Sequence, residues 1–152
     1  MASGAKLLED GSLVYIWLSG RVKLRAPYDE LQALNDLGEL MPGMHVLVDL
    51  ASITKFDSDT KMVMQISQEV EDMLRLFGEE TLFLIHAPNA LTREMAGAMR
   101  DFWERSEVVL VRICEDELGA LMILGRPERS FAELRFAPQA AEFAKATDRD
   151  IL

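Results

Sequence analysis

Four consecutive hydroxyl and carboxylate residues, Asp57 to Thr60, lie at the centre of the stretch ITKFDSDTKMVM. A helical apolar periodicity begins directly after them. Asp57, Ser58 or Asp59 could each accept a hydrogen bond from the free N–H groups of the first helical turn. The same helix end would also hold an added phosphate, which carries about two negative charges towards a partner. The residue types thus favour two roles, helix capping and partner binding controlled by charge.

Few other residues offer catalytic chemistry. Neither His45 nor His86 has a second histidine or a cysteine at metal-ligand spacing, and a single cysteine, Cys114, excludes a cysteine-only cluster. The acidic neighbours of Cys114 disfavour its thiolate, so we expect a buried residue at a strand end. Glycine-rich phosphate loops and nucleophile elbows are absent from the sequence. We therefore predict that the protein is not an enzyme and uses neither a metal nor a cofactor.

An alternative function is the binding of a small apolar or anionic ligand. His86 follows a predicted strand at its carboxyl end, where open α/β sheets often bind ligands. Leu50 and Ile113 end two other predicted strands, so the candidate pocket comprises Leu50, His86 and Ile113. A hydrolase is a third alternative, but no nucleophile can be assigned to His86 as its partner.

The composition limits the classes of partner. The chain has 152 residues, of which 49% are hydrophobic, and this suits one domain with a substantial core. Its formal net charge of −10 repels phosphate backbones and anionic lipids, so we expect neither a nucleic-acid nor a membrane partner. No basic leader precedes an apolar stretch, and the longest apolar run, residues 13–18, is too short to cross a bilayer. We expect a soluble cytoplasmic protein.

Apolar periodicity predicts the order β-β-α-β-α-β-α-β-α. Two runs flanking Asp10-Gly11 predict a β-hairpin, and the runs 45–50, 81–85 and 107–113 predict buried strands. The fold class is therefore α/β, with a mainly parallel mixed sheet, an antiparallel edge from the hairpin and helices covering the sheet. The second long helix is predicted from Ser58 to Phe77. Methionines at helical spacing are interpreted as core residues: Met62, Met64, Met73, Met95, Met99 and Met122.

The composition changes after Gly125. Pro127 and Pro138 bracket three apolar side chains that must be buried somewhere: Phe131, Leu134 and Phe136. We therefore predict a domain over residues 1–125 and a C-terminal helical extension over 126–152, which docks on the domain or on a second subunit. Pro138 is predicted to open a last helix through Phe143.

The stretch VLVDLASITKFDSDTKMVM resembles the core of STAS domains (sulfate transporter and anti-sigma factor antagonist), in which a strand ending in Asp leads to a D-S-S-G or D-S-T-G motif at a helix start. The later stretch AGAMRDFWERSEVVLVRICEDELGALMILG resembles the bacterial SpoIIAA-like, or STAS-like, proteins. The resemblance spans about residues 5 to 125. It implies a non-enzymatic regulatory module that binds protein partners, as the anti-sigma factor antagonists do.

In these antagonists the third position of the motif is the serine or threonine that a partner kinase phosphorylates. In register, Asp57 and Ser58 match the motif, whereas Asp59 replaces the target hydroxyl and Thr60 replaces the glycine. Aspartate forms no stable phosphate ester, so the candidate phosphorylation sites are Ser58 and Thr60. The resemblance predicts a partner-binding surface of Ser52, Thr54, Asp57, Ser58, Asp59 and Thr60, with the acidic field of the chain selecting a basic partner patch. We also predict a homodimer, with residues 126–152, whose apolar side chains need burial, adding oligomer contacts.

Overall fold

A computed structural model describes residues 3–8, 11–40, 43–76, 80–104 and 106–136 of the chain. Within these residues it contains five strands and five helices: β1 (Gly4–Leu7), β2 (Leu13–Lys23), α1 (Ala26–Asp36), β3 (His45–Asp57), α2 (Thr60–Arg75), β4 (Thr81–His86), α3 (Ala90–Trp103), β5 (Val109–Cys114), α4 (Glu117–Ile123) and α5 (Phe131–Phe136). The predicted element order is confirmed up to α4, and α5 is added to it.

The five strands form one sheet in the order β1-β2-β3-β4-β5. β1 pairs antiparallel with β2 and the other neighbours pair in parallel, which confirms the predicted mixed α/β sheet with a hairpin edge. β3 pairs with β4 only over Val46–Asp49, but with β2 as far as the pair Lys23 and Asp57. The ends of β2 and β3 therefore project beyond the sheet as a two-stranded ribbon.

The helices divide between the two faces of the sheet. Alternate strand residues, such as Val48 and Ile85, pack with α1, α2 and α3 in the larger core. The residues between them, such as Leu47 and Leu84, pack with α4 and α5 in a smaller core. Right-handed crossovers between neighbouring parallel strands place all three connecting helices on one side, which leaves the other side to the C-terminal elements.

α2 begins two residues later than predicted. Asp59 is the N-cap residue, and its Oδ1 accepts a hydrogen bond from the N–H of Met62 at 3.4 Å. The prediction of a capping side chain at this junction is thus confirmed for Asp59. The buried stripe of the helix contains Val63, Val70 and Leu74, whereas the predicted end at Phe77 lies outside the described residues.

α5 carries all three apolar side chains that were predicted to be buried, and two of them are buried. Phe131 and Leu134 are buried against the face covered by α4, whereas Phe136 is 88% exposed. The segment therefore docks on its own domain as far as residue 136. The helix predicted from Pro138 to Phe143 lies outside the described residues.

Candidate functional site

The predicted partner-binding residues lie along the end of the ribbon and at the start of α2. Ser52 and Thr54, which the sequence pattern assigned to a loop, lie in β3, because Ile53 and Phe56 pack on the helix-covered face and extend the strand. A register shift leaves Thr54 between two paired positions as a bulge. Ser52, Thr54, Ser58 and Thr60 are exposed, and Asp57 and Asp59 are half-buried. We call residues 19–23 and 52–60 the ribbon surface.

An ion pair spans the two strands of the ribbon. The guanidinium of Arg21 donates from Nε to Asp57 Oδ2 at 2.9 Å and from Nη2 to Asp57 Oδ1 at 3.1 Å. This hydrogen bonding lowers the pKa of Asp57, and the positive charges of Lys55 and Lys23 act in the same direction. Asp57 therefore stays ionised and joins the strands, while Asp59 caps the helix.

The local charge at the ribbon surface differs from the chain average. Its two carboxylates, Asp57 and Asp59, are accompanied by exposed basic side chains on both strands and on the first turn of α2: Arg21, Lys23, Lys55 and Lys61. The expected acidic field is thus absent at this point, because the acidic excess of the chain lies elsewhere on the molecule. A partner approaching here meets more positive than negative groups.

Two methionines that follow the ribbon surface closely in the sequence are exposed. Met62 and Met64 in the first turns of α2 are 40% and 60% exposed, and Met122 in α4 is 71% exposed, so the interpretation of these three as core residues is wrong. Met73, Met95 and Met99 are buried as predicted. Thioether side chains adapt to irregular partner surfaces, and exposed apolar groups beside polar ones are typical of binding sites. This arrangement is suited to binding.

A second constellation lies under α5, where the pairing of β3 with β4 ends at Asp49 and His86. Asp49 Oδ1 is 2.8 Å from His86 Nδ1, and Asp49 Oδ2 accepts from the Tyr15 hydroxyl at 3.5 Å. Arg135 Nη2 lies 3.7 Å from the same Oδ2. We call Lys6, Tyr15, Asp49, His86 and Arg135 the buried polar cluster.

The buried polar cluster holds α5 on the sheet. Lys6 Nζ donates at 2.8 Å to the carbonyl oxygens of both Leu134 and Arg135, which lie in the last turn of α5. At the other end of α5, the Phe131 N–H donates to Glu117 Oε1 at 2.7 Å, and the Phe131 ring packs edge-on to His86 at 5.0 Å. The charges are therefore enclosed by α5 and serve to position it.

Burial and nearby charges shift the pKa values of His86, Tyr15 and Cys114. Burial lowers the pKa of His86, but the hydrogen bond and the charge of Asp49 outweigh it, and the pKa of His86 lies above its ordinary value. Burial, together with the Asp49 charge, raises the pKa of Tyr15. Burial raises the pKa of the Cys114 thiol to about 11, and that side chain is half-buried at the end of β5. These shifts leave the tyrosine and the thiol protonated at neutral pH, which disfavours nucleophilic chemistry.

The three residues of the candidate ligand pocket are not brought together. Leu50 and Ile113 pack on the face covered by α1, α2 and α3, whereas His86 faces Phe131 on the opposite side. Side chains alternate between faces along a strand, which explains the separation. Recesses of about 160 and 240 Å³ lie elsewhere, between α2 and α3 and beside the start of β5. Both are smaller than the roughly 300 Å³ at which ligand pockets usually begin.

Sequence reasoning missed the buried polar cluster. One signal was available. Asp49 lies two residues after Leu47 in the apolar run HVLVDL, so its carboxylate must lie on the same buried face of the strand as Leu47. Parallel pairing makes Asp49 and His86 direct neighbours. No local pattern indicated that Lys6 and Arg135 would join them.

Comparisons with known proteins yield no assignment. Neither the protein-family models nor the curated proteins include a match to this chain. Within the described part of the chain, no group of three metal-binding side chains occurs, and no helix is long and apolar enough to cross a membrane. The resemblance to STAS domains stays a prediction from the sequence pattern.

Proposed function

We propose that this chain is a non-enzymatic, STAS-like regulatory module of bacterial type, acting in the cytoplasm, that binds a protein partner through the ribbon surface and the start of α2. One observation carries the proposal. The six residues predicted to bind a partner lie in the last part of β3 and at the start of α2, the hydroxyl side chains of all four that carry one are exposed, and Met62 and Met64 in the first turns of α2 are exposed as well.

The composition of this surface supports protein binding. Met62 and Met64 provide apolar area that a partner can bury, and the surrounding hydroxyls and charges provide a polar rim. The pairing of β2 with β3 fixes the backbone of the surface before binding. A preformed surface reduces the conformational entropy lost on association.

Ser58 and Thr60 are proposed as regulatory sites within the same surface. Both side chains are exposed, and they flank the capping residue Asp59. A phosphate on either hydroxyl would add about two negative charges beside Asp57 and Asp59. Such a change would oppose the positive surplus of the ribbon surface and weaken the binding of any partner that depends on it.

Photocrosslinking would test the proposed surface. Benzoylphenylalanine would replace Met62 or Met64 in the full chain, and Leu76 in a control, since Leu76 is 86% exposed just after the opposite end of α2. After irradiation in cells of the source organism, we expect a discrete protein adduct from the first two positions and none from the control. Equal adducts at all three positions, or none at any, would contradict the proposal.

We also propose that the chain forms a homodimer. α4 and α5 present large apolar side chains that are more than half exposed: Leu118, Met122, Ile123 and Phe136. A second copy could cover them, as contiguous exposed apolar patches commonly mark interfaces. Light scattering should give a dimer mass for the native chain and a monomer mass for Met122→Glu/Ile123→Glu, with Leu76→Glu remaining dimeric. A native chain with monomer mass would refute this proposal.

A further inference from the structure

Within the described residues, one edge of β2 is open beyond the hairpin. β1 pairs with β2 only as far as Gly4 opposite Trp17, and Ser3 Oγ accepts from the N–H of Ser19 at 2.9 Å. β2 then continues to Lys23, paired on its other side with β3. Among the described residues, no strand lies outside Arg21–Lys23. This segment is therefore a sheet edge with backbone groups available to another strand.

The direction of the backbone groups follows from one hydrogen bond. The N–H of Leu24 donates to the Asp57 carbonyl at 2.9 Å, towards β3. Because successive N–H groups of a strand point to opposite edges, those of Lys23 and Arg21 point outwards. An incoming extended chain would meet these two N–H groups, which none of the described strands pairs with, at the spacing of a β-ladder.

The side chains at this edge are basic. Val22 and Leu24 are buried under the helices, so Arg21 and Lys23 project from the opposite face, which is open to solvent. Lys55 is the neighbour of Arg21 across the ribbon, and the single carboxylate between these groups, Asp57, is already bound by Arg21. The edge thus combines free backbone donors with a local positive surplus.

From the edge and its charge together we infer that residues 20–23 of β2 bind an extended, acidic segment of a protein partner, which adds to the sheet as a further strand. Its backbone pairs with Arg21 and Lys23, and its carboxylates contact the side chains of Arg21, Lys23 and Lys55. The inference rests on the proposed function, because this edge borders the ribbon surface, and it names the chemistry of the partner segment.

An acidic peptide fits this edge better than a nucleic acid does. A nucleic acid carries many phosphates and would extend past the basic edge. The rest of the protein, which has a net charge of −10, would repel those phosphates. A short peptide strand covers only the basic edge. Bulges and lysines also protect sheet edges from aggregation without binding anything, so the experiment must separate binding from edge protection.

Fluorescence anisotropy with the full-length protein tests the inference. The probe is a fluorescein-labelled peptide of about seven residues in which glutamate alternates with valine, so that all carboxylates face one side of a strand. A lysine–valine peptide controls for charge. A glutamate–valine peptide with alternate backbone amides N-methylated controls for strand pairing. We expect salt-sensitive binding of the first peptide and no binding of either control.

Variants locate the site. Lys23→Glu/Lys55→Glu should weaken the binding of the glutamate peptide about tenfold, since each exposed charge pair contributes up to about 1 kcal/mol and 1.4 kcal/mol is tenfold. Arg93→Glu/Arg100→Glu on α3 makes the same change in net charge at exposed positions and should leave binding unchanged. Circular dichroism would confirm that both variants fold.

Several results would overturn the inference: equal binding of the acidic and basic peptides, equal binding of the N-methylated peptide, equal loss in both variants, or tighter binding of a single-stranded oligonucleotide.

The proposed function fails separately. If crosslinking at Met62 and Met64 captures a partner equally well in the Lys23→Glu/Lys55→Glu chain, the partner surface stands and the acidic strand is excluded. If no partner is captured although the peptide binds, the proposed function falls.

Discussion

The ribbon surface and the buried polar cluster contain the same chemical groups in opposite surroundings. Each has a carboxylate held by a cationic side chain, Asp57 with Arg21 in one and Asp49 with His86 and Arg135 in the other. The first pair is exposed to water, whereas Asp49 and His86 are buried beneath α5. Their sequence separation is small, since Asp49 and Asp57 belong to the same strand. Burial is what distinguishes the two regions.

This difference determines what each region contributes. An exposed ion pair is screened by solvent and adds little to folding, so its charges can be exchanged for those of a partner. A buried carboxylate cannot lose its partners without a large cost, because the remaining charge has no water to solvate it. The buried polar cluster therefore stabilises the fold, while the ribbon surface is available for recognition.

The largest expected effect concerns α5, which covers the buried polar cluster. Phe131→Ala should lower the free energy of unfolding by about 4 kcal/mol, because a fully buried aromatic ring is lost between Tyr15 and His86. Leu76→Ala, just after α2, is the control and should change it by less than about 0.5 kcal/mol, since its side chain is 86% exposed and lies outside the proposed dimer interface. Urea denaturation measures both. Similar losses in the two variants would mean that α5 is not docked as described.

The second prediction compares the two carboxylates directly. Asp49→Ala should lower the free energy of unfolding by about 3 kcal/mol, because His86 and Arg135 lose the carboxylate between them in a buried site. Asp57→Ala should leave the urea midpoint within experimental scatter. The comparison between the regions fails if Asp57→Ala proves as destabilising as Asp49→Ala.

The third prediction uses pH to separate the regions. Because the folded pKa of His86 lies above its ordinary value of 6.5, its contribution to stability is fully present below pH 6.5 and is lost as the pH rises through the folded pKa. The difference in unfolding free energy between the native chain and His86→Gln should therefore shrink with rising pH. His45→Gln, at the other histidine of the chain, serves as the control. A difference that grows with pH would show that burial, rather than Asp49, dominates the titration of His86.

Local patterns in the sequence were sufficient to predict much of the fold. Strand and helix order follows from apolar periodicity, which depends on residues two to four positions apart. The presence of a capping side chain among Asp57, Ser58 and Asp59 also depends on neighbours within one helical turn, although only the structure identifies it as Asp59. These features could be predicted because the physical interactions behind them are local.

The features that were missed depend on distant residues. Lys6 and the Leu134 carbonyl are separated by 128 positions, and no periodicity connects them. β3 extends to Asp57 because it pairs with β2 through a bulge. The helix-capping motif in this stretch gave no indication of a strand. The positive surplus at the ribbon surface arises only when β2 and β3 lie side by side, so the net charge of the chain predicted the wrong local sign.

The smallest expected effect tests whether any residue of the ribbon surface contributes to folding. Asp59→Ala removes the N-cap of α2, and we expect a loss of about 0.5 kcal/mol, at the low end for such caps because its bond to the Met62 N–H is long at 3.4 Å. Asn89→Ala in α3 is the matched control. Asn89 forms a reciprocal capping box with Thr92, in which both hydrogen bonds are at most 3.0 Å, so its loss should be about 1 kcal/mol. If urea denaturation shows the larger loss for Asp59→Ala, the ribbon surface is part of what stabilises the fold, and its residues are less free for a partner than their exposure indicates.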